Sequence, residues 1–447
     1  MKKRINEMRK IPIVLLTLTL IVSCTDSNKR TISELEYRMN EIAEQYVKLV
    51  LDVGKYYPGY VDAYYGPKEW LPQETTSTEI DTNIITRLNE EVEDLLNKLE
   101  SLKSYNATEI ETLRYRFLSK QLLSVKGMIF IISGRTFPFD DEVKIFYDID
   151  PPHFTNEHFN KTLNKLDEQL PGSGSLEDRV NEFKGKFYIP ADRLDTVFSA
   201  AIKECRRRTL EHIKLPENEN FKVEYVTDKP WGAYNWYKGH YFSLIEVNTD
   251  LPQSIDQVIE LAAHEGYPGH HVFNTMLEKN LVQDKGWIEY SVYPLFSPVS
   301  FLAEGTANYG IDMVFPGDDK IEFEKKVLFP LAGLNSDEAD LYYKVLDLLK
   351  DLTYAGNEAA RNYLDGNWTK EETVTYLQKY LLFSKEKAEK RLKFIEKYRS
   401  YVINYNLGED IVKKYIEKNG GTQDNIGQRW ELFKQLISLP QTPSGLM

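Results

Sequence analysis

The sequence predicts a mainly α protein with a small β-sheet, a large helical domain around an active-site cleft. Three observations carry this expectation. Apolar residues recur at helical spacing through most of the chain, one stretch alone has strand composition, and helix-starting signals return in the last third. With 447 residues and 42% hydrophobic content, the chain can bury a large core in one domain or two.

The first 23 residues read as a secretory address. Lys2, Lys3, Arg4, Arg9 and Lys10 precede the apolar run "IPIVLLTLTLIVS", which ends at Cys24. At roughly 13 residues the run is too short for a membrane span. "LIVSC" resembles the lipobox of bacterial lipoproteins, which implies cleavage before Cys24, lipidation of its thiol and a polar tether over 24–31. The expected location is the bacterial cell envelope, with the membrane reached through the N-terminal lipid only. Cys205 is the other cysteine, expected buried in a helix, so no cysteine metal site can form.

Residues 32–215 are expected to form a helical region and 216–447 the catalytic region, the two intertwined. Helical periodicity runs through 32–57 and 80–134, with Leu95, Leu96, Leu99 and Leu102 on one face. Between them "YYPGYVDAYYGPKEW" is rich in Gly and Pro and reads as a structured loop. Ser175 caps a helix after the junction "QLPGSGS", and a further helix spans about 190–213, its Arg206-Arg207-Arg208 run a solvated face. "HYFSLIEVNT" (240–249) is the strand. Ser254 and Gln257 form a capping box opening the helix that reaches His264, and Thr369 with Glu372 repeats the device later. Ser297 is the expected N-cap of a helix with Pro298 at its first position, which places Glu304 inside it.

Net charge excludes one class of partner. The formal charge is −13, and removing the +4 of the first 23 residues leaves −17, so no nucleic acid partner is expected. There is also no Gly-x-Ser-x-Gly elbow and no P-loop.

The chemistry concentrates in "AAHEGYPGHHVFN" (262–274), which holds three of the seven histidines. A helix bearing His-Glu and a later helix bearing a second Glu is the layout of a metal-hydrolase site. Three nitrogen or carboxylate ligands hold Zn²⁺, and a carboxylate takes the proton of a water whose pKa the metal lowers. The familiar second histidine four residues on is absent, because Pro268 stands there and its ring would clash with the His264 carbonyl. With Gly269 beside it, the chain can bulge and return His270 to the metal side. His271, nearly two turns from His264, is the alternative ligand in an undistorted helix.

Two segments, "HEGYPGHH" and "AEGTANYG", resemble the paired signatures of the bacterial family catalogued as domain of unknown function 885. "GYVDAYYGP" and "YVINYNLG" are similar to its pattern as well, so the resemblance covers most of the chain after Cys24. It implies a zincin-like metallopeptidase architecture with Zn²⁺ held by His264, His270 and Glu304, and Glu265 as general base. Thr306 stands where many relatives carry a bulky aromatic, which bears on pocket shape.

The expected function is zinc-dependent hydrolysis of a peptide substrate. A zinc hydrolase of another amide (a cell-wall peptide or an acylated small molecule) and a binding lipoprotein with a vestigial site fit the same residues. Tyr405 and His240 are candidate donors to an oxyanion, and Asn308, one turn after Glu304, a candidate to orient a ligand. Trp231, Trp236 and Tyr237 are expected in the core or the cleft wall, and His153, His158 and His212 on the surface or in structural roles. If 242–248 is a sheet edge beside the cleft, an extended peptide pairs with it.

Overall fold

The computed structural model describes residues 33–72, 80–229, 231–250 and 252–447. Cys24, the signal segment and the tether lie outside them. The architecture is mainly helical with a small sheet, as expected. Buried apolar side chains from Leu35 to Leu446 form one contiguous cluster.

The long N-terminal helices fall where the periodicity put them, at Glu34–Gly54, Thr82–Ser101 and Glu109–Ile132. Leu88, Val92, Leu95 and Leu99 form the buried stripe of the second. Ser175 accepts from the Asp178 backbone N–H, and the capping boxes at Ser254/Gln257 and Thr369/Glu372 are both present. Ser297 does occupy the N-cap of the Pro298–Val314 helix, but its hydroxyl donates to the Pro294 carbonyl instead of capping. Cys205 is buried within the Leu194–Leu210 helix, as expected. The arginines beside it are less free than a solvated face implies: Arg206 pairs with Glu219 at 2.5 Å, and Arg208 with Glu204 at 2.7 Å.

The strands exceed expectation. β1 (Val61–Tyr64) lies inside the segment read as a loop and pairs antiparallel with β5 (Val292–Pro294). A three-stranded sheet has the order β2 (Asn220–Val226), β4 (Phe242–Asn248), β3 (Ala233–Tyr237), with β2–β4 parallel and β3–β4 antiparallel. The strand read from sequence is therefore the central one. Both its edges are paired, so it cannot accept an extended peptide, and that expectation is corrected; β2 and β3 are the edges.

Three long-range locks fix the site's surroundings. Arg114, fully buried, makes a two-pronged pair with Glu289 at 2.6 and 2.9 Å just before β5. Glu142 receives Arg399 and the Ser400 hydroxyl, which holds the 3₁₀ turn Arg399–Ile403. Gly305 of the Pro298–Val314 helix packs on Gly408 of the Asn406–Lys418 helix so closely that an added Cβ would lie 2.5 Å from the Gly408 carbonyl oxygen.

Candidate metal centre

The helix carrying His264 does not bulge and continue; it breaks. Ile255–Leu261 is α-helical, Ala262–Gly266 widens into a π turn, and a new helix begins at His270. Between them the Tyr267–Pro268 peptide is cis. Gly269 donates its N–H to the Ala263 carbonyl at 2.9 Å, folding the chain back on the first segment. That approach leaves no space for a side chain: a Cβ on Gly269 would lie 1.9 Å from the His264 carbonyl oxygen. From the edge strand β3, the Asn235 amide donates to the Glu265 carbonyl at 2.7 Å and ties the turn to the sheet.

This fold-back brings His264, His270 and Glu304 together, with one ligand atom from each all within 4.8 Å of one another. His264 Nε2 is 3.4 Å from one Glu304 oxygen, and His270 Nε2 is 3.5 Å from the other. The orientation of His264 follows from its neighbours. Asn308 donates its amide N–H₂ to the Tyr405 carbonyl at 2.7 Å, so its oxygen faces His264 Nδ1 at 2.8 Å and accepts that N–H. Nε2 is then the lone-pair nitrogen. Tyr401 donates to Glu304 Oε1 at 2.7 Å, while Glu304 Oε2, buried, has no hydrogen bond among the described residues.

Acceptor atoms that converge without donors between them repel one another unless a positive charge sits among them. Protons can supply that charge. Burial disfavours a charged His264, yet the Glu304 and Glu265 carboxylates overcome it and lift its pKa to about 9. Burial likewise works against ionised Glu304, but His270 and His264 hold it well below the usual carboxylate range. A divalent cation meets the same need with ligand types that suit Zn²⁺, so the residues fit the metal.

Glu265 is 5% exposed and is not one of the three converging groups. Burial raises its pKa, against the pull of His264 and His270. His271 goes elsewhere: it is fully buried, with Nε2 on Glu219 at 3.0 Å and Nδ1 on the Ser243 hydroxyl at 2.9 Å. Its alternative role as ligand does not match this placement. His240 sits exposed in left-handed backbone between β3 and β4, its backbone N–H on Glu278. Among the described residues no hydrogen bond or ion pair joins its ring to the cluster. Tyr405 lies beside it, its ring 5.8 Å from that of Tyr401, which donates to Glu304, and burial and then the Glu304 charge push its phenol pKa up. Tyr237 is core, donating to Glu278, and Trp231 packs edge-on to Trp236. His153 pairs with Asp140 at the surface, His158 packs on Phe154, and His212 stacks on Trp430.

Sequence reasoning missed Tyr401, Asp62 and Tyr234. Tyr401 lies four residues before Tyr405, one helical turn, and that spacing was the available signal. Asp62 of β1 accepts from the Tyr234 hydroxyl of β3. Burial lifts its carboxyl to about 6, with His270 and Glu304 among the charges it feels.

Asn308→Ala removes the bond that orients His264, so zinc affinity is expected to fall about 10- to 100-fold, the usual cost of losing such a partner. Competition with a chelating dye measures it, and an unchanged affinity contradicts the assignment.

No family model and no curated protein matches the chain. Among solved structures it is similar to a candidate lipoprotein from Colwellia psychrerythraea, at 14% identity over 85% of this chain and 69% of that one, with a TM-score of 0.52. A candidate lipoprotein of unknown function from Shewanella oneidensis matches at 12% identity over 79% of this chain and 72% of that one, TM-score 0.43. An M32 carboxypeptidase from Deinococcus radiodurans R1 matches at 9% identity over 92% and 93%, TM-score 0.42. At these identities the first likeness is one of fold, and the other two are too loose to carry an argument. Among the described residues no helix is long and apolar enough to cross a membrane.

Proposed function

We propose that this chain is a zinc-dependent peptidase, lipid-anchored through Cys24 at the bacterial envelope. One observation carries the reading: two imidazole nitrogens and a buried carboxylate converge within 4.8 Å with a second carboxylate, Glu265, beside them. The resemblance of "HEGYPGHH" and "AEGTANYG" to the signatures of the domain of unknown function 885 family supports it.

His264, His270 and Glu304 would hold the metal, Asn308 orienting the first and Tyr401 the last. A bound zinc ion supplies Lewis acidity, making a water acidic near neutral pH and polarising a carbonyl. Glu265 takes the proton of the attacking water and passes it to the departing amine; its raised pKa suits both halves of that transfer. The Tyr405 hydroxyl donates to the oxygen on which negative charge builds.

The test is a peptide library with cell-wall peptides and acylated amines included. Peptide-bond cleavage is expected, abolished by a chelator and restored by one equivalent of zinc. Cleavage indifferent to chelation, or a zinc-loaded protein that cuts only non-peptide amides, removes the reading.

A further inference from the structure

Arg391 is the exception among the buried and half-buried arginines of the described residues. It is half-buried on the Lys385–Tyr398 helix, its guanidinium 4.9 Å from the centre of the Phe394 ring. No hydrogen bond or ion pair joins it to any described residue. Every other buried or half-buried arginine has an oxygen partner: Arg114 has Glu289, Arg179 has Asp167, Arg208 has Glu204, Arg361 has Asp140, Arg399 has Glu142 and Arg429 has the Tyr309 hydroxyl. Withdrawing a cation from water without a partner costs free energy, and a chain that pairs its other buried arginines leaves this one open.

The neighbours do not neutralise it. Lys387 lies one turn earlier on the same helix, its ammonium 4.3 Å over the Phe383 ring, and no ion pair joins it to a described carboxylate. A local surplus of positive charge thus sits in a chain of net charge −13.

Its place in the fold connects it to the metal centre. Phe394 packs against Tyr405 at 6.5 Å, Tyr405 against Tyr401 at 5.8 Å, and Tyr401 donates to Glu304. The Tyr405 phenol feels Glu304 and Glu265 as well as Arg391. The unpaired guanidinium and the three converging ligands therefore flank one tyrosine.

We propose that Arg391, with Lys387 beside it, binds the C-terminal carboxylate of a peptide, so that the last peptide bond is the one presented to Glu265 and the protein is a carboxypeptidase. The proposal rests on the peptidase reading. A planar guanidinium offers parallel N–H donors to a carboxylate, the geometry an ammonium alone cannot supply, and that of Arg391 lies 4.9 Å from the Phe394 ring centre. In the reaction the C–N bond to the final residue breaks. Water adds its hydroxyl to the acyl carbon and its proton to the leaving nitrogen, releasing one free amino acid and a peptide with a new terminal carboxylate. A glutamate side chain carries the same carboxylate chemistry, and the test separates the two sources.

Zinc-loaded Glu265→Gln protein is titrated with three fluorescent pentapeptides: a free acid, its C-terminal amide, and an amide ending in glutamate. Anisotropy reads binding, and mass spectrometry of products from the unaltered protein reads the cut. The free acid is expected to bind about 100-fold tighter than either amide, as a desolvated charge pair would give. The preference should vanish in an added Arg391→Ala change and return in part with Arg391→Lys, and products should be one residue shorter. Equal binding of acid and amide, equal binding of the glutamate amide, or a preference that survives Arg391→Ala overturns the proposal, as do internal cuts. Absence of hydrolysis in every peptide overturns the peptidase reading instead, while the acid-over-amide preference still reads Arg391 by itself.

Discussion

Glu265→Gln is expected to keep its full complement of zinc and lose about 10³- to 10⁴-fold in kcat, the upper range for a general base. The side chain lies outside the set of three converging ligands, so the metal should not notice the change. Glutamine preserves shape and burial but cannot accept a proton from water. The environment explains why a carboxylate at this position can serve as the base, since burial raises its pKa while two neighbouring imidazoles keep the shift in check. Metal content and turnover are measured on the same preparation. Retained turnover would show that another group activates water.

Gly269→Ala is expected to cost roughly 3 kcal/mol or more in stability and to weaken zinc binding by at least about 100-fold. The added methyl would meet the His264 carbonyl oxygen at 1.9 Å and the Ala263 carbonyl oxygen at 2.5 Å. Both are backbone atoms, so no rotamer change relieves the contact, and the turn joining the two histidines must open. Gly427→Ala is the control, since nothing lies within 4 Å of the new methyl there. Urea unfolding and zinc titration of both variants decide the point; a Gly269→Ala protein as stable and as metal-competent as the control would show that the fold-back is not what brings His270 to His264.

Much of the metal centre was legible because its signals are local. His264, Glu265 and His270 sit within one short segment, and Pro268 by itself forbids the regular helix that would have favoured His271. Glu304 could be read through its position behind Pro298 and ahead of Gly305. The manner of the distortion could not be read, because it depends on β3 reaching across to hold the Glu265 carbonyl. Asp62, Tyr234 and Tyr401 escaped notice for the same reason: β1 meets β5 across about half of the chain, and the turn that carries Tyr401 is held by Glu142 through Arg399 and Ser400. The helices of the N-terminal region carried strong apolar periodicity, whereas β2 alternates between exposed and half-buried positions too weakly to stand out. Without β2 and β3 in view, β4 looked like an edge. His240 looked like a donor because it precedes that strand, and the left-handed turn it occupies places its ring in solvent.

The most direct measurement is metal content by mass spectrometry of the purified protein and its His270→Ala variant, each after addition and removal of excess zinc. The account predicts about one zinc per chain in the parent and none retained in the variant. A variant that keeps its zinc, or a parent that holds none, would contradict it.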